Sequence, residues 1–261
     1  MAVDGSGNVL VVDQLNSRIQ KFDNNGTFLT AWGSFGSANG QFNYPFHVAV
    51  DGSGNVFVTD AGNARIQKFT SAGTFLAKWG SYGTASGQFK NPQGVAVDSS
   101  GNVFVADSQN NRIQKFTNTG TFLTQWGSYG TGNGQFTNAQ GVAVDGSGRV
   151  FVADSAGDRI EKFDNGGTFL TTWGSHGSGN GQFYAPFDAA VDGSGHVFVA
   201  DTSNVRIQKF TGTGTFVTLW GGTYGSANGQ FSEPVGVAVD ASGNVFVADA
   251  YTNRVQKFAC P

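Results

Sequence analysis

Residues 92–138 read PQGVAVDSSGNVFVADSQNNRIQKFTNTGTFLTQWGSYGTGNGQFTN, and this stretch decides the fold. Four short apolar runs, GVAVD, NVFVAD, RIQKF and TFLTQW, are separated by the turn signals D-S-S-G, D-S-Q-N-N and T-N-T-G, so each run reads as a strand and each joint as a tight turn. Connections this short join antiparallel neighbours. The stretch therefore predicts a four-stranded meander.

Working outward, the Val-Asp pair that closes the first run has its aspartate at Asp4, Asp51, Asp98, Asp145, Asp192 and Asp240, at spacings of 47, 47, 47, 47 and 48. The one extra residue falls in the Gly-Gly-Thr-Tyr stretch at 221–224, inside a glycine-rich connection that tolerates insertion. Val, Phe, Leu and Trp occupy both phases of the period-2 alternation, so each meander has two apolar faces to cover. Copies stacked around an axis cover both faces, and a repeat of this length with four strands reads as a propeller blade. The expectation is an all-β chain, a six-bladed β-propeller occupying residues 1–261 as a single domain.

The quoted pattern P-x-G-V-A-V-D, G-N-V-F-V-A-D, N-R-I-Q-K-F and G-T-F-L-T-Q-W-G resembles the NHL repeat family over essentially the whole chain. The resemblance implies a six-bladed propeller whose GVAVD strands line a central channel. Function varies widely among members, so no task transfers with the fold.

Composition narrows the field. The 261 residues hold 40 glycines, 24 phenylalanines and only two glutamates, a mixture that disfavours long helices. Net charge is -3 and 12 of the 15 basic residues belong to the repeated R-I-Q-K-F element, leaving Lys78, Lys90 and Arg149 outside it. No basic patch is added for nucleic acid or an anionic membrane, so neither is an expected partner. The single cysteine, Cys260, excludes an intramolecular disulfide and reads as an incidental tail thiol.

Residues shared by every copy read as structure. Aspartates 13, 60, 107, 154, 201 and 249 each precede an arginine by five residues, across the turn between second and third strands. Arginine can grip a carboxylate with two parallel hydrogen bonds, so these are expected to be structural ion pairs fixing that turn. The DGSGN-like turns lack the alternating carboxylates and distant glutamate of an EF-hand. Trp32, Trp79, Trp126, Trp173 and Trp220 read as packing between blades, and the glycine-rich connections lack the helix and Gly-Lys-Ser/Thr of a phosphate cradle.

Function is then sought where the copies differ. After the position of the first-strand proline, which is Ala139 in one copy, stand Phe46-His47, Gln93-Gly94, Gln140-Gly141, Phe187-Asp188 and Val235-Gly236. These residues would open onto one mouth of the channel, making Phe46, His47, Gln93, Gln140, Phe187, Asp188 and Val235 the candidate ligand-binding set. His47 and Asp188 replace glycine in blades two and five, which a six-fold ring would place opposite one another, too far apart for a direct hydrogen bond. The turns at 14–17, 108–111, 155–158 and 250–253 also vary, as recognition loops on a rigid frame do.

The leading expectation is a non-catalytic interaction or scaffold propeller binding a protein, peptide or glycan, with no catalytic residue, metal or cofactor. The resemblance also admits metal-dependent lactonases and lyases with several Glu, Asn, Asp or His ligands around the channel. Glu161, Glu233, His176 and His196 complete no such set by position. A purely structural, self-assembling module is a further possibility. The T-F-L-x-x-W strand occurs five times, so blade six is expected to have three strands and an open edge that invites self-association.

Overall fold

The computed structural model describes residues 1–259, so Cys260 lies outside the described residues. The fold is a six-bladed β-propeller, with five sheets of four antiparallel strands and one of three. In blade three the strands are Pro92–Val97, Val103–Asp107, Arg112–Phe116 and Phe122–Trp126. Each strand matches one run read from the sequence. The three-stranded sheet is blade six, Pro234–Val239, Val245–Asp249 and Arg254–Phe258. Among the described residues helix is limited to single 3-10 turns at Ala61–Asn63, Ser108–Asn110 and Thr202–Asn204, between second and third strands.

By contacts the chain divides into two compact units, residues 1–126 with blades one to three and residues from 127 onward with blades four to six. Within the first unit, Trp32 of blade one meets Phe69 of blade two at 6.1 Å and Trp79 of blade two meets Phe116 of blade three at 6.0 Å. Within the second, Trp173 meets Phe210 at 6.0 Å and Trp220 meets Phe258 at 6.2 Å. The fourth-strand tryptophans thus join consecutive blades, burying the two apolar faces that no single meander can cover.

The turns between first and second strands hold themselves together. Asp51 Oδ1 accepts from the amides of Ser53 and Asn55 while Oδ2 accepts from Asn55 Nδ2 within the turn, and at 3.5 Å from Asn118 Nδ2 of blade three. His196 replaces that asparagine in blade five, and its Nδ1 lies 3.0 Å from Asp192 Oδ2. It takes over a turn contact and serves the same local role.

Candidate functional site

The loops that carry the chain from one blade to the next run directly into the first strands, so loops and strand starts share one end of each blade. What holds a loop there is the Asp-Arg element. In blade two Arg65 Nε donates to Asp60 Oδ2 at 2.6 Å, and its other nitrogens donate to the carbonyls of Ser37, Ala38 and Gln41 in the incoming loop. Gln67 adds a bond from Nε2 to Gln41 O and accepts from the amide of Gly40. Asp60 is fully buried and accepts from the amide of Asn43.

This corrects the expected two-bond grip. One arginine arm holds the carboxylate and the remaining donors clamp backbone, which makes the pair the anchor of an inter-blade loop as well as of a turn. Glycine is required where the loop folds tightly. A Cβ on Gly83, at φ +155°, would lie 2.1 Å from Gln88 Oε1, and one on Gly80, at φ +103°, 2.6 Å from the Phe89 ring.

Each clamped loop projects an aromatic residue that the protein does not bury. Phe35, Tyr82, Tyr129 and Tyr224 are 65–75% exposed. They stand at equivalent places, on loops whose backbones are bonded to themselves, as Gly83 N to Phe89 O and Phe89 N to Ser81 O. Lys90 Nζ lies 5.8 Å from the Tyr82 ring centre.

The fifth such position is His176, and there three departures from the repeat converge. Asp158 stands where other copies have Ser17, Ala64, Asn111, Val205 and Asn253, and Tyr184 where they have Asn43, Lys90, Thr137 and Ser232. Asp158 Oδ2 lies 2.8 Å from His176 Nδ1, and Oδ1 accepts from the amide of Ala185 at 2.7 Å. The His176 and Tyr184 rings meet edge to face at 5.0 Å. With Asp158 accepting at Nδ1, the Nε2 atom of an imidazole that is 69% exposed is left outward as a hydrogen-bonding and proton-accepting group. Sequence reading placed His176 and Asp158 in a loop and a variable turn without joining them. Their common signal was that each breaks the repeat at a loop-end position.

In the same blade Arg159 still donates to the loop carbonyls of Thr131, Gly132 and Gln135, but the aspartate end of the clamp is altered. Glu161, fully buried, stands where other copies have glutamine. Its Oε2 accepts from the amide of Gly134 at 2.8 Å, and Arg159 Nη2 approaches Oε1 to 2.6 Å while the Arg159 Nε to Asp154 Oδ2 distance opens to 3.3 Å. Burial pushes the Glu161 carboxyl up to about 7, against the pull of the Gly134 amide and Arg159.

The candidate residues stand at the starts of the first strands Pro45–Val50, Pro92–Val97, Ala139–Val144, Pro186–Val191 and Pro234–Val239, and two of them make bonds to the next first strand. His47 Nδ1 lies 3.2 Å from Val95 O of blade three. Asp188, 2% exposed, accepts from the Val237 amide of blade six through Oδ2 and from the Ala189 amide through Oδ1. Each therefore ties its first strand to the next. A Cβ on Gly141 would lie 2.6 Å from Asp188 Cα, so the glycine of the neighbouring copy is a close-approach requirement. Phe46, Gln140, Phe187 and Val235 are half-buried, and Gln93 is buried. The Gln93 and Gln140 Oε1 atoms are buried without a hydrogen-bond partner.

The NHL repeat family model matches residues 42–69, 89–116, 183–210 and 231–258, the loop ends and first three strands of blades two, three, five and six. Four of the six blades of this β-propeller thus carry NHL repeats. No curated protein sequence matches it. Among solved structures it is similar to a streptogramin B lyase, at 18% identity over 98% of this chain and 76% of that one with a TM-score of 0.68. It is similar to a gluconolactonase from Xanthomonas campestris at 12% identity, 98% and 83% coverage and a TM-score of 0.72. It also resembles a nidogen/laminin complex at 17% identity, 82% and 80% coverage and 0.58. At these identities the likeness is one of fold.

Proposed function

We propose that the protein is a non-catalytic recognition propeller whose inter-blade loops bind a glycan or a peptide on their projecting rings. The observation that carries this reading is the exposed aromatic at one place in clamped loop after clamped loop. Such rings on a rigid backbone lose little conformational freedom when a sugar face or a peptide stacks on them. The candidate residues at the strand starts, with His47 and Asp188 among them, border the same end and would extend that surface. Chromatography of the purified chain over immobilised polysaccharides and peptide arrays tests the reading. Retention that drops at least about tenfold in Tyr82→Ala with an unchanged fold supports it, and retention indifferent to Tyr82 and His176 overturns it.

A second reading, acid-base catalysis of the lactonase or lyase kind, is favoured by one specific contact, the Asp158–His176 pair. Turnover of lactone substrates that disappears in His176→Ala would promote it over recognition.

A further inference from the structure

We propose that blade four carries an oxyanion site in which Lys162 and Arg149 hold a phosphate group. The third-strand lysine of the repeat is ordinarily satisfied by the protein itself. In blade one Lys21 Nζ lies 2.8 Å from Asp4 Oδ2 and 3.4 Å from Ser71 O of blade two. In blade two Lys68 Nζ donates to Asn118 Oδ1 at 2.9 Å and to Asn118 O at 3.3 Å. Each ammonium there has a side-chain oxygen as well as a carbonyl. Lys162 differs, because Gly212 stands at the place of Ser71 and Asn118. Its Nζ donates to Gly212 O at 2.5 Å, and among the described residues no side-chain oxygen comes within hydrogen-bond or ion-pair distance of it.

The turn between the first and second strands of the same blade adds charge. Arg149 replaces the asparagine of Asn8, Asn55, Asn102 and Asn244. That asparagine donates to the turn aspartate, as Asn55 Nδ2 does to Asp51 Oδ2 at 2.8 Å. Arg149 is a looser partner, with Nη1 4.0 Å from Asp145 Oδ2 and a side chain that is 52% exposed. Two cations therefore share one carboxylate where the other copies set a neutral amide beside the lysine.

The lysine is the buried member of the pair, 7% exposed, with Nζ 5.0 Å from the Phe151 ring centre. Burial, then the Arg149 guanidinium, hold its ammonium below the usual lysine range against the pull of Asp145. An oxyanion at Nζ supplies the side-chain oxygen that Asn118 gives Lys68 and neutralises the surplus charge. The exposed guanidinium can close on the same anion with two parallel bonds. Strand order sets this site at the opposite end of blade four from the Asp-Arg clamp, so it is independent of the recognition reading of the loops.

The test is titration of the 261-residue chain with inorganic phosphate at neutral pH and constant ionic strength, followed by the amide NMR signals of Arg149 and Gly212. The expected result is saturable shifts with a dissociation constant at or below about 1 mM. Arg149→Asn installs the residue of four other copies and should weaken binding at least about tenfold. Lys78→Gln, which removes an exposed cation of blade two, should leave binding unchanged. Glycerol 3-phosphate binding more tightly than inorganic phosphate supports the site and assigns it to a phosphomonoester, while equal binding assigns it to the free ion. Shifts reproduced by chloride, or phosphate binding indifferent to Arg149→Asn, overturn the proposal.

Discussion

Blades three and four are copies of one repeat that differ in a buried polar cluster, where glutamine in one is glutamate in the other. In blade three Arg112 Nε donates to Asp107 at 2.7 Å, and Gln114 donates to both Asp107 and Gln88 O. The cluster is closed, with each carboxylate oxygen and amide matched. In blade four Glu161 sits at the glutamine's place and has no N–H to give, and Arg159 lies 2.6 Å from Glu161 Oε1 and 3.3 Å from Asp154 Oδ2; in blade six, which keeps the glutamine, the matching Arg254–Asp249 distance is 3.6 Å. Asp158, His176 and Tyr184 gather at that same blade's loop end. Blade six also leaves its arginine Nε without a hydrogen bond, and what sets blade four apart is a second carboxylate buried in the cluster; blade four is not among the four matched by the family model.

The sharpest way to break the comparison is Arg112→Ala. Removing the partner of a buried carboxylate and three loop contacts is expected to cost about 3–5 kcal/mol, read as a lower denaturation midpoint. An unchanged midpoint would show that the clamp is decorative.

Glu161→Gln removes the second buried carboxylate and should stabilise the protein by roughly 2–3 kcal/mol at pH 8. The sign follows from the raised carboxyl. Its folded value near 7 exceeds the ordinary 4.5, so the native protein loses stability as pH rises between those values and carries the full cost above 7. The gain from Glu161→Gln should accordingly shrink toward pH 4.5, and urea midpoints measured across that range check it.

Asp158→Asn sharpens the other half. The pair it disturbs involves an exposed histidine, so stability should change by less than about 1 kcal/mol, while NMR of the His176 ring should show loss of the fixed Nδ1–H state. Smallest of all, Tyr82→Ala should leave the midpoint within about 0.5 kcal/mol, because the ring is 72% exposed. Its effect belongs in ligand retention, and a large stability loss would mean that the ring packs in solution.

Much of the fold was legible because its signals are local. Period-2 apolar runs, Asp-Gly and Asn-Gly turns and a constant spacing identify strands and blades one copy at a time, and the missing fourth strand of blade six could be counted. The site was less legible. His47 and Asp188 stood out as titratable departures, yet their side chains bond the next first strand. The Asp158–His176 contact joins a turn to a loop a whole strand pair later, and no periodicity announces it.

The sequence by itself determined six copies of a four-run repeat, the turn chemistry and the places where copies diverge, since these depend on near neighbours along the chain. Only the tertiary structure decided that the arginine clamps the incoming loop and that three scattered departures meet at one loop end. Those outcomes depend on the path each loop takes between blades, which is fixed by buried hydrogen bonds to backbone carbonyls far along the chain.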